Sequence, residues 1–353
     1  MSRARVSVLE SLGFDAFFAG QLTPADAALR PGRAVADRGA RLQVRFAERE
    51  ALVTIPGRLK AARAQPVVGD FVLAGDGDEP PVVRVLERRS ALARNVAGRT
   101  TGEQVLAANV DLVFLVNPLD AGVNPRLLER TLAAVYAGGA RPAVLLTKPD
   151  LAEDAAGALA EASGAAPGVP VFAASGRTGE GLAQIRALLS TGRTGVFVGP
   201  SGAGKSTLVN ALLGAEVQVT AEVREGDRRG RHTTAGRSLF QLEGGGAVID
   251  GPGIRELRLW DGGGVGEVFH DVAELAAGCR FADCAHGGEP GCAVETAAAD
   301  GRLDPERLAS FHKLAGEARA QEARQGSAAA REEKQRWRTV HKELRRFQRD
   351  RGR

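Results

Sequence analysis

Residues 199–207 read GPSGAGKST. The stretch satisfies the pattern G-x-x-x-x-G-K-[ST], and it falls between an apolar run, GVFVG at 195–199, and a helix-forming run, KSTLVNALLG at 205–214. That context is the one the mechanism requires. Glycines let successive backbone N–H groups converge on phosphate oxygens, and the following helix adds the partial positive charge of its N-terminus. The residues from Gly199 through Pro200, Ser201, Gly202, Ala203, Gly204 and Lys205 to Ser206 and Thr207 are therefore read as a nucleotide-binding loop. Lys205 would reach the β- and γ-phosphates, and the Ser206 hydroxyl would ligate Mg²⁺.

The loop alone does not choose between ATP and GTP, but its surroundings do. No LSGGQ-like signature occurs, and no apolar strand ends in Asp-Glu. Downstream, HTT at 232–234 lies in a Gly/Arg-rich segment, and AVIDGPG at 247–253 is a strand ending in D-x-x-G. Thr233 or Thr234 could meet Mg²⁺, Asp250 could hold it through water, and the Gly253 N–H could turn to the γ-phosphate. In this order and spacing they form a GTPase switch set.

The base-reading loop lies upstream of all this. TKPD at 147–150 follows the buried strand PAVLLT (142–147), and ASG at 174–176 ends the next strand, VPVFAAS (169–175). The Asp150 carboxylate can accept from guanine N1–H and the N2 amino group. Adenine offers neither donor and would leave the carboxylate unsatisfied. Thr147, Lys148, Pro149 and Asp150 are assigned to the base, and the loop at Ser175 to guanine O6. The functional order is base loop, O6 loop, phosphate loop, switch one, switch two, which makes this a circularly permuted arrangement. Permutation reconnects a sheet without repacking it.

The flanks carry other signals. Residues 33–95 hold short alternating runs, LQVRF (42–46), VVGDFVLA (67–74) and PVVRVLE (81–87), separated by Gly, Pro and Asp. A small OB-type barrel suits about five such strands; a generic β-module fits the same alternation. From 110 onward strand alternates with helix: DLVFLVN (111–117), NPRLLERTLAAVYAGG (124–139), then the strands and helices above. Such alternation means a mostly parallel, doubly covered sheet. All three cysteines fall within residues 279–292, where Cys279, Cys284, His286 and Cys292 give the spacing C-x4-C-x-H-x5-C. Three thiolates and an imidazole suit one closed, structural Zn²⁺ site; buried free thiols beside a surface histidine are the plainer alternative.

Charge is uneven. Residues 331–353 carry net +6, residues 33–99 carry +5, and residues 100–330 carry −7. An acidic core between two basic ends fits an enzyme with appendages that face nucleic acid. No apolar run approaches the roughly 18–20 residues of a membrane span, and Glu10 and Asp15 interrupt any signal-peptide core. A cytoplasmic, monomeric protein that does not engage membranes is expected.

ANVDLVFLVN, GPSGAGKSTLVNALL, GRHTT, DGPGIREL, CRFADC-H-EPGCAV and the KLAGE segment at 313–317 together resemble the ribosome small-subunit-dependent GTPase A family. The resemblance covers residues 33–320. It implies a multidomain chain: an N-terminal extension (1–32), an all-β OB-fold (33–98), a circularly permuted α/β P-loop GTPase domain (99–260), and a helical zinc-binding domain with a basic C-terminal helix (261–353). It implies hydrolysis of GTP to GDP in late small-subunit maturation, stimulated by that subunit, with ribosomal RNA as the partner of the basic ends. Two other readings stay open: an RNA-binding module that uses GTP only as an occupancy switch, and an unrelated P-loop ATPase.

Three positions stand out within that pattern. Where Thr147 stands, the family has an Asn that contacts the base and ties its loop to the phosphate loop; the shorter Thr is expected to weaken guanine affinity. Gly251 replaces the Thr of DTPG and is expected to loosen switch two. Ile254 follows D-x-x-G and cannot hydrogen-bond water, so intrinsic hydrolysis should be slow, with His232 in the switch as the group that positions water.

Overall fold

A computed structural model describes residues 8–62, 64–96, 102–214, 236–251, 264–320 and 323. The switch residues His232, Thr233, Thr234, Gly253 and Ile254, and the basic stretch 331–353, lie outside them. The chain forms two compact units, one built from residues 1–94 and 104–259, the other from 95–103 and 260–353.

In the first unit, five strands make a small antiparallel module: β1 (Arg30–Asp37), β2 (Arg41–Phe46), β3 (Glu50–Thr54), β4 (Phe71–Ala74) and β5 (Val82–Val85). β1 pairs with both β2 and β4, and Thr54 at the end of β3 bridges Pro81 just before β5. The sheet therefore curls almost shut. β2 alternates exposed or half-buried residues with buried ones, so Leu42, Val44 and Phe46 turn inward. They meet Ala51, Val53, Val72 and Val82 in one core. That is the period-2 pattern of a half-buried strand.

β6 (Ala91–Val96) and β7 (Gly102–Ala108) pair with each other. The α/β layer then alternates β8 (Leu112–Pro118), α1 (Pro125–Ala137), β9 (Arg141–Thr147), α2 (Ala155–Ala165), β10 (Val171–Ala174), α3 (Leu182–Leu188), β11 (Thr194–Val198) and α4 (Lys205–Leu213). α1 begins where the sequence places it. Asn124 caps it by accepting from the Leu127 N–H, and Pro125 takes the first helical position. β12 (Ser238–Gln241) and β13 (Ala247–Asp250) complete the layer. The parallel order is β10-β9-β8-β11-β13. Phe114 and Phe197 stack at 4.8 Å between centroids within a core that includes Leu145, Ile185, Leu208 and Val248. Truncating one of these leucines to Ala would cost about 2–5 kcal/mol.

The sheet does not stop at β13. β12 runs antiparallel to β13 and, on its other side, antiparallel to β1, so one eleven-stranded sheet carries the α/β layer and the small module together. Arg33 of β1 sits at this junction, 1% exposed. Its Nη1 donates to Thr194 Oγ1 at 2.8 Å and to the Leu12 carbonyl. Its Nη2 donates to the Asn109 carbonyl at 3.0 Å, and its Nε to that of Gly69 at 3.2 Å. Burial draws the guanidinium down to about 10, against the pull of Asp111 and Asp70, so it stays charged at neutral pH. Asn109 adopts a left-handed conformation (φ +53°) and donates its side-chain amide to the Gly69 carbonyl. Asp111 accepts from the Thr194 N–H and from Arg193, both at 2.8 Å, and so ties the start of β8 to the start of β11.

The second unit holds α5 (His270–Ala276), a cysteine-rich loop, α6 (Ala293–Ala299) and a helix α7 over residues 305–320. Arg307, Leu314 and Ala318 of α7 are buried, a helical stripe on one face.

Candidate functional site

Each nucleotide motif named from the sequence and described by the structure lies at the carboxyl end of a parallel strand. The base loop follows β9, the Ser175 loop follows β10, the phosphate loop follows β11, and Asp250 ends β13. This is the edge of an open α/β sheet where ligands bind.

The phosphate loop owes its path to glycine. Gly199 has φ +157°, and a Cβ there would lie 2.3 Å from the Val116 carbonyl oxygen. Gly204 caps α4 in the left-handed region. Lys205 is 6% exposed, and its Nζ donates to the carbonyls of Gly199, at 2.7 Å, and Pro200. The lysine thus folds back along the loop.

Two contacts draw the base side onto the phosphate side. Thr147, 2% exposed, donates its hydroxyl to the Ala203 carbonyl at 2.8 Å, across 56 residues of chain. The two loops are therefore tied together by Thr147. Gly176 supplies the second contact: a Cβ on it would lie 2.6–2.7 Å from the backbone of Thr207 and Leu208. The Ser175 loop therefore rests against the first turn of α4. Ser175 accepts the N–H groups of Arg177 and Thr178, which shapes the turn.

Lys148 is left-handed (φ +57°), and its Nζ pairs with Asp120 at 2.5 Å. Pro149 starts a 3-10 turn, Pro149–Leu151, which leaves Asp150 exposed. Asp120 is a site residue that sequence reading missed; it lies in a turn after β8 and belongs to no motif. Asp250 is 6% exposed on the strand beside β11. Gly251, at φ +153°, is closed onto Arg237: a Cβ on it would lie 2.7 Å from the Arg237 Cα.

In the second unit the four metal-ligand candidates come together, all ligand atoms within 4.8 Å of one another. Cys279 Sγ lies 3.6 Å from His286 Nδ1 and 3.9 Å from Cys292 Sγ, and Cys292 Sγ lies 3.5 Å from that nitrogen. Bonds of about 2.3 Å to sulfur and 2.0 Å to nitrogen give tetrahedral edges of roughly 3.5–3.8 Å. The cluster has the dimensions of a closed zinc site. Glu289 braces the loop by accepting the Ala285 and Gly287 N–H groups, and Cys292 caps α6. Phe311 of α7 packs against the His286 ring.

A P-loop nucleotide site whose base loops precede its phosphate loop in the chain defines a circularly permuted GTPase. The family model for the RsgA GTPase matches residues 85–260. A curated relative from Opitutus terrae, the small ribosomal subunit biogenesis GTPase RsgA, is 43% identical over 98% of this chain and 99% of its own. The chain belongs to the RsgA GTPase family. Among solved structures, YjeQ from Thermotoga maritima superposes with a TM-score of 0.61 at 25% identity, over 82% of this chain and 98% of its own. YloQ, described as a circularly permuted GTPase, gives the same TM-score at 23% identity, over 85% and 98%, and speaks to the fold alone.

Proposed function

We propose that the protein hydrolyses GTP to GDP in the maturation of the small ribosomal subunit, and that the subunit stimulates it. The observation that carries this reading is the convergence of Thr147 on Ala203 and of Gly176 on Thr207, which joins base loops and phosphate loop into one pocket. The relatives' printed name supplies the small subunit as partner.

In this reading Asp150 accepts two protons from guanine, the loop at Ser175 donates to O6, and the backbone N–H groups from Gly199 to Thr207 hold the phosphates with Lys205. Ser206 and Asp250 offer the hard oxygen donors that Mg²⁺ takes, and Asp250 stands at the strand end next to the phosphate loop. A magnesium ion held there would neutralise charge on the phosphate oxygens. Thr233, Thr234 and Gly253 complete the γ-phosphate contacts, and His232 positions water. Cys279, Cys284, His286 and Cys292 hold one Zn²⁺ per chain as a structural element. The β1–β5 module, assigned residues 33–98 and the OB type, and the basic residues 331–353 contact ribosomal RNA. The chain acts as a cytoplasmic monomer.

Hydrolysis measured with each ribosomal subunit added separately tests the activity. Stimulation confined to the small subunit is the expected result, and equal turnover with and without it would favour a GTP-occupied RNA-binding module. Asp150→Asn should shift preference from GTP toward XTP by roughly 10–150-fold, because hydrogen bonds to a charged group are worth about 1.5–3 kcal/mol. An unchanged GTP/XTP ratio would remove Asp150 from the base site.

A further inference from the structure

Asp250 ends β13, and its backbone belongs to a row that crosses three strands. Ala36 of β1, Ser238 of β12 and Asp250 of β13 are register partners. Beside this row the Asp37 N–H donates to the Arg237 carbonyl at 2.9 Å. The small β-module is thus bonded directly to the strand that joins the two switch segments.

Two glycines close the row. A Cβ on Gly236 would lie 2.2 Å from the Asp37 carbonyl oxygen. A Cβ on Gly251 would lie 2.7 Å from Arg237 Cα and 3.0 and 3.2 Å from Cγ and Cβ of the same residue. In both cases the nearest atom is backbone, which cannot swing aside as the tip of a long side chain can. In this chain a Cβ at 236 would push β12 away from β1, and one at 251 would push the Arg237 backbone away from the residue next to Asp250.

We infer that Gly236 and Gly251 are positioning residues for the magnesium-side carboxylate: they let β12 seat Asp250 against the β-module. This rests on the reading of the pocket as a Mg²⁺–GTP site. Neither glycine touches nucleotide in this account; each acts through the backbone of β12 on the Asp250 carboxylate. The base loops hang from β9 and β10, separated from this row by β8 and β11, whereas the phosphate loop follows β11, which pairs with β13. Metal-side and base-side binding therefore separate in the variants.

The test is the Mg²⁺ dependence of binding of a non-hydrolysable GTP analogue, with full-length protein and a fluorescent nucleotide. Asp250→Asn, Gly251→Ala, Gly236→Ala and Arg237→Gly are compared with the parent, and melting temperature is recorded for each. Arg237→Gly adds no atoms, so it keeps the test alive if the alanine variants do not fold. Losing the support of a metal-side group costs about 10–100-fold in metal affinity. The Mg²⁺ midpoint should therefore rise about tenfold in the two alanine variants and less in Arg237→Gly. Nucleotide affinity in EDTA and the preference for GTP over ATP should stay unchanged. A lowered melting temperature with an unmoved Mg²⁺ midpoint in the folded variants would overturn the inference and leave the glycines a packing role. If Asp250→Asn itself leaves the midpoint unmoved, the failure lies with the nucleotide-site reading.

Discussion

Thr147 connects the loop after β9 to the loop after β11 with one hydroxyl. The connection is buried, and its donor has a single proton, which goes to the Ala203 carbonyl. Thr147→Val keeps the shape and removes that proton. It should cost about 1 kcal/mol, or roughly fivefold in GDP affinity, without changing the preference for guanine. Titration with fluorescent GDP and competing nucleotides measures both, and an unchanged affinity would show that the tie carries no binding energy. At this scale the sequence was legible where chemistry sits in a compact motif. GPSGAGKST names its own residues because spacing alone builds the loop. Asp120 and Arg33 were not legible, because their partners lie 28 and 161 residues away and no local pattern joins them.

Among the elements, α7 shows how the second unit is held around its ligand cluster. Arg307 donates to both oxygens of Asp271 on α5, at 2.8 and 3.0 Å, and to the Val268 carbonyl at 2.7 Å. Its guanidinium covers the Phe269 ring at 4.5 Å. Burial pushes the Asp271 carboxyl up, but the hydrogen bonds and charge of Arg307 outweigh it and hold the group below the usual carboxylate range. A lowered folded value means that the stabilisation is whole above the unfolded value of about 4 and drains away as the pH falls through the folded one. Arg307→Met should therefore destabilise this unit by about 1–3 kcal/mol at pH 7, with the gap from the parent closing below about pH 4. Urea unfolding of zinc-loaded protein at several pH values checks it; a gap constant down to pH 3 would rule the pair out as its cause. Chelation is the companion experiment. If the cluster holds zinc as proposed, removing the metal should melt the cysteine-rich loop and release α6, whose cap is Cys292. A circular dichroism spectrum unchanged after metal removal would mean that the loop holds itself. Alternation and caps made most strands and α1 readable from sequence. β1, β3, β6 and β7 were missed; β1 is buried on five successive residues, with no alternation to read.

At the scale of the molecule, the seam between the small module and the α/β layer is a sheet, and Arg33 is its fastener. Arg33→Met keeps the bulk but leaves the carbonyls of Leu12, Gly69 and Asn109 without this donor. It should cost about 1–3 kcal/mol, the range for leaving buried acceptors without their donor. Equilibrium urea unfolding measures it, and a loss under 1 kcal/mol would show that water or repacking satisfies the carbonyls. The GTP form should bind small subunits roughly 5–150-fold more tightly than the GDP form, the span of typical coupling energies. Co-sedimentation in the two nucleotides decides it, with Lys205→Ala as the variant that abolishes the difference. Equal binding in both forms would make the nucleotide irrelevant to attachment. The seam was invisible in the sequence because composition marks the module off as a separate all-β block, whereas strand pairing ignores that boundary.

The same seam sets a schedule for the newborn chain. β1 pairs with β12 some 200 residues later. At about 5–20 residues per second of synthesis, β1 leaves its ribosome roughly 10–40 s before its neighbour exists. Through that interval the end of β1 at Ala36 and Asp37 lacks its β12 partner, while Arg30–Arg33 already pair with β4. Arg33 waits as well, since Asn109 and Thr194 are translated after it. The amino-terminal module therefore cannot be finished on its own. Its last strand contact arrives only when the segment between the two switches has been made, so the nascent protein completes its first-made part and its nucleotide pocket in one late event.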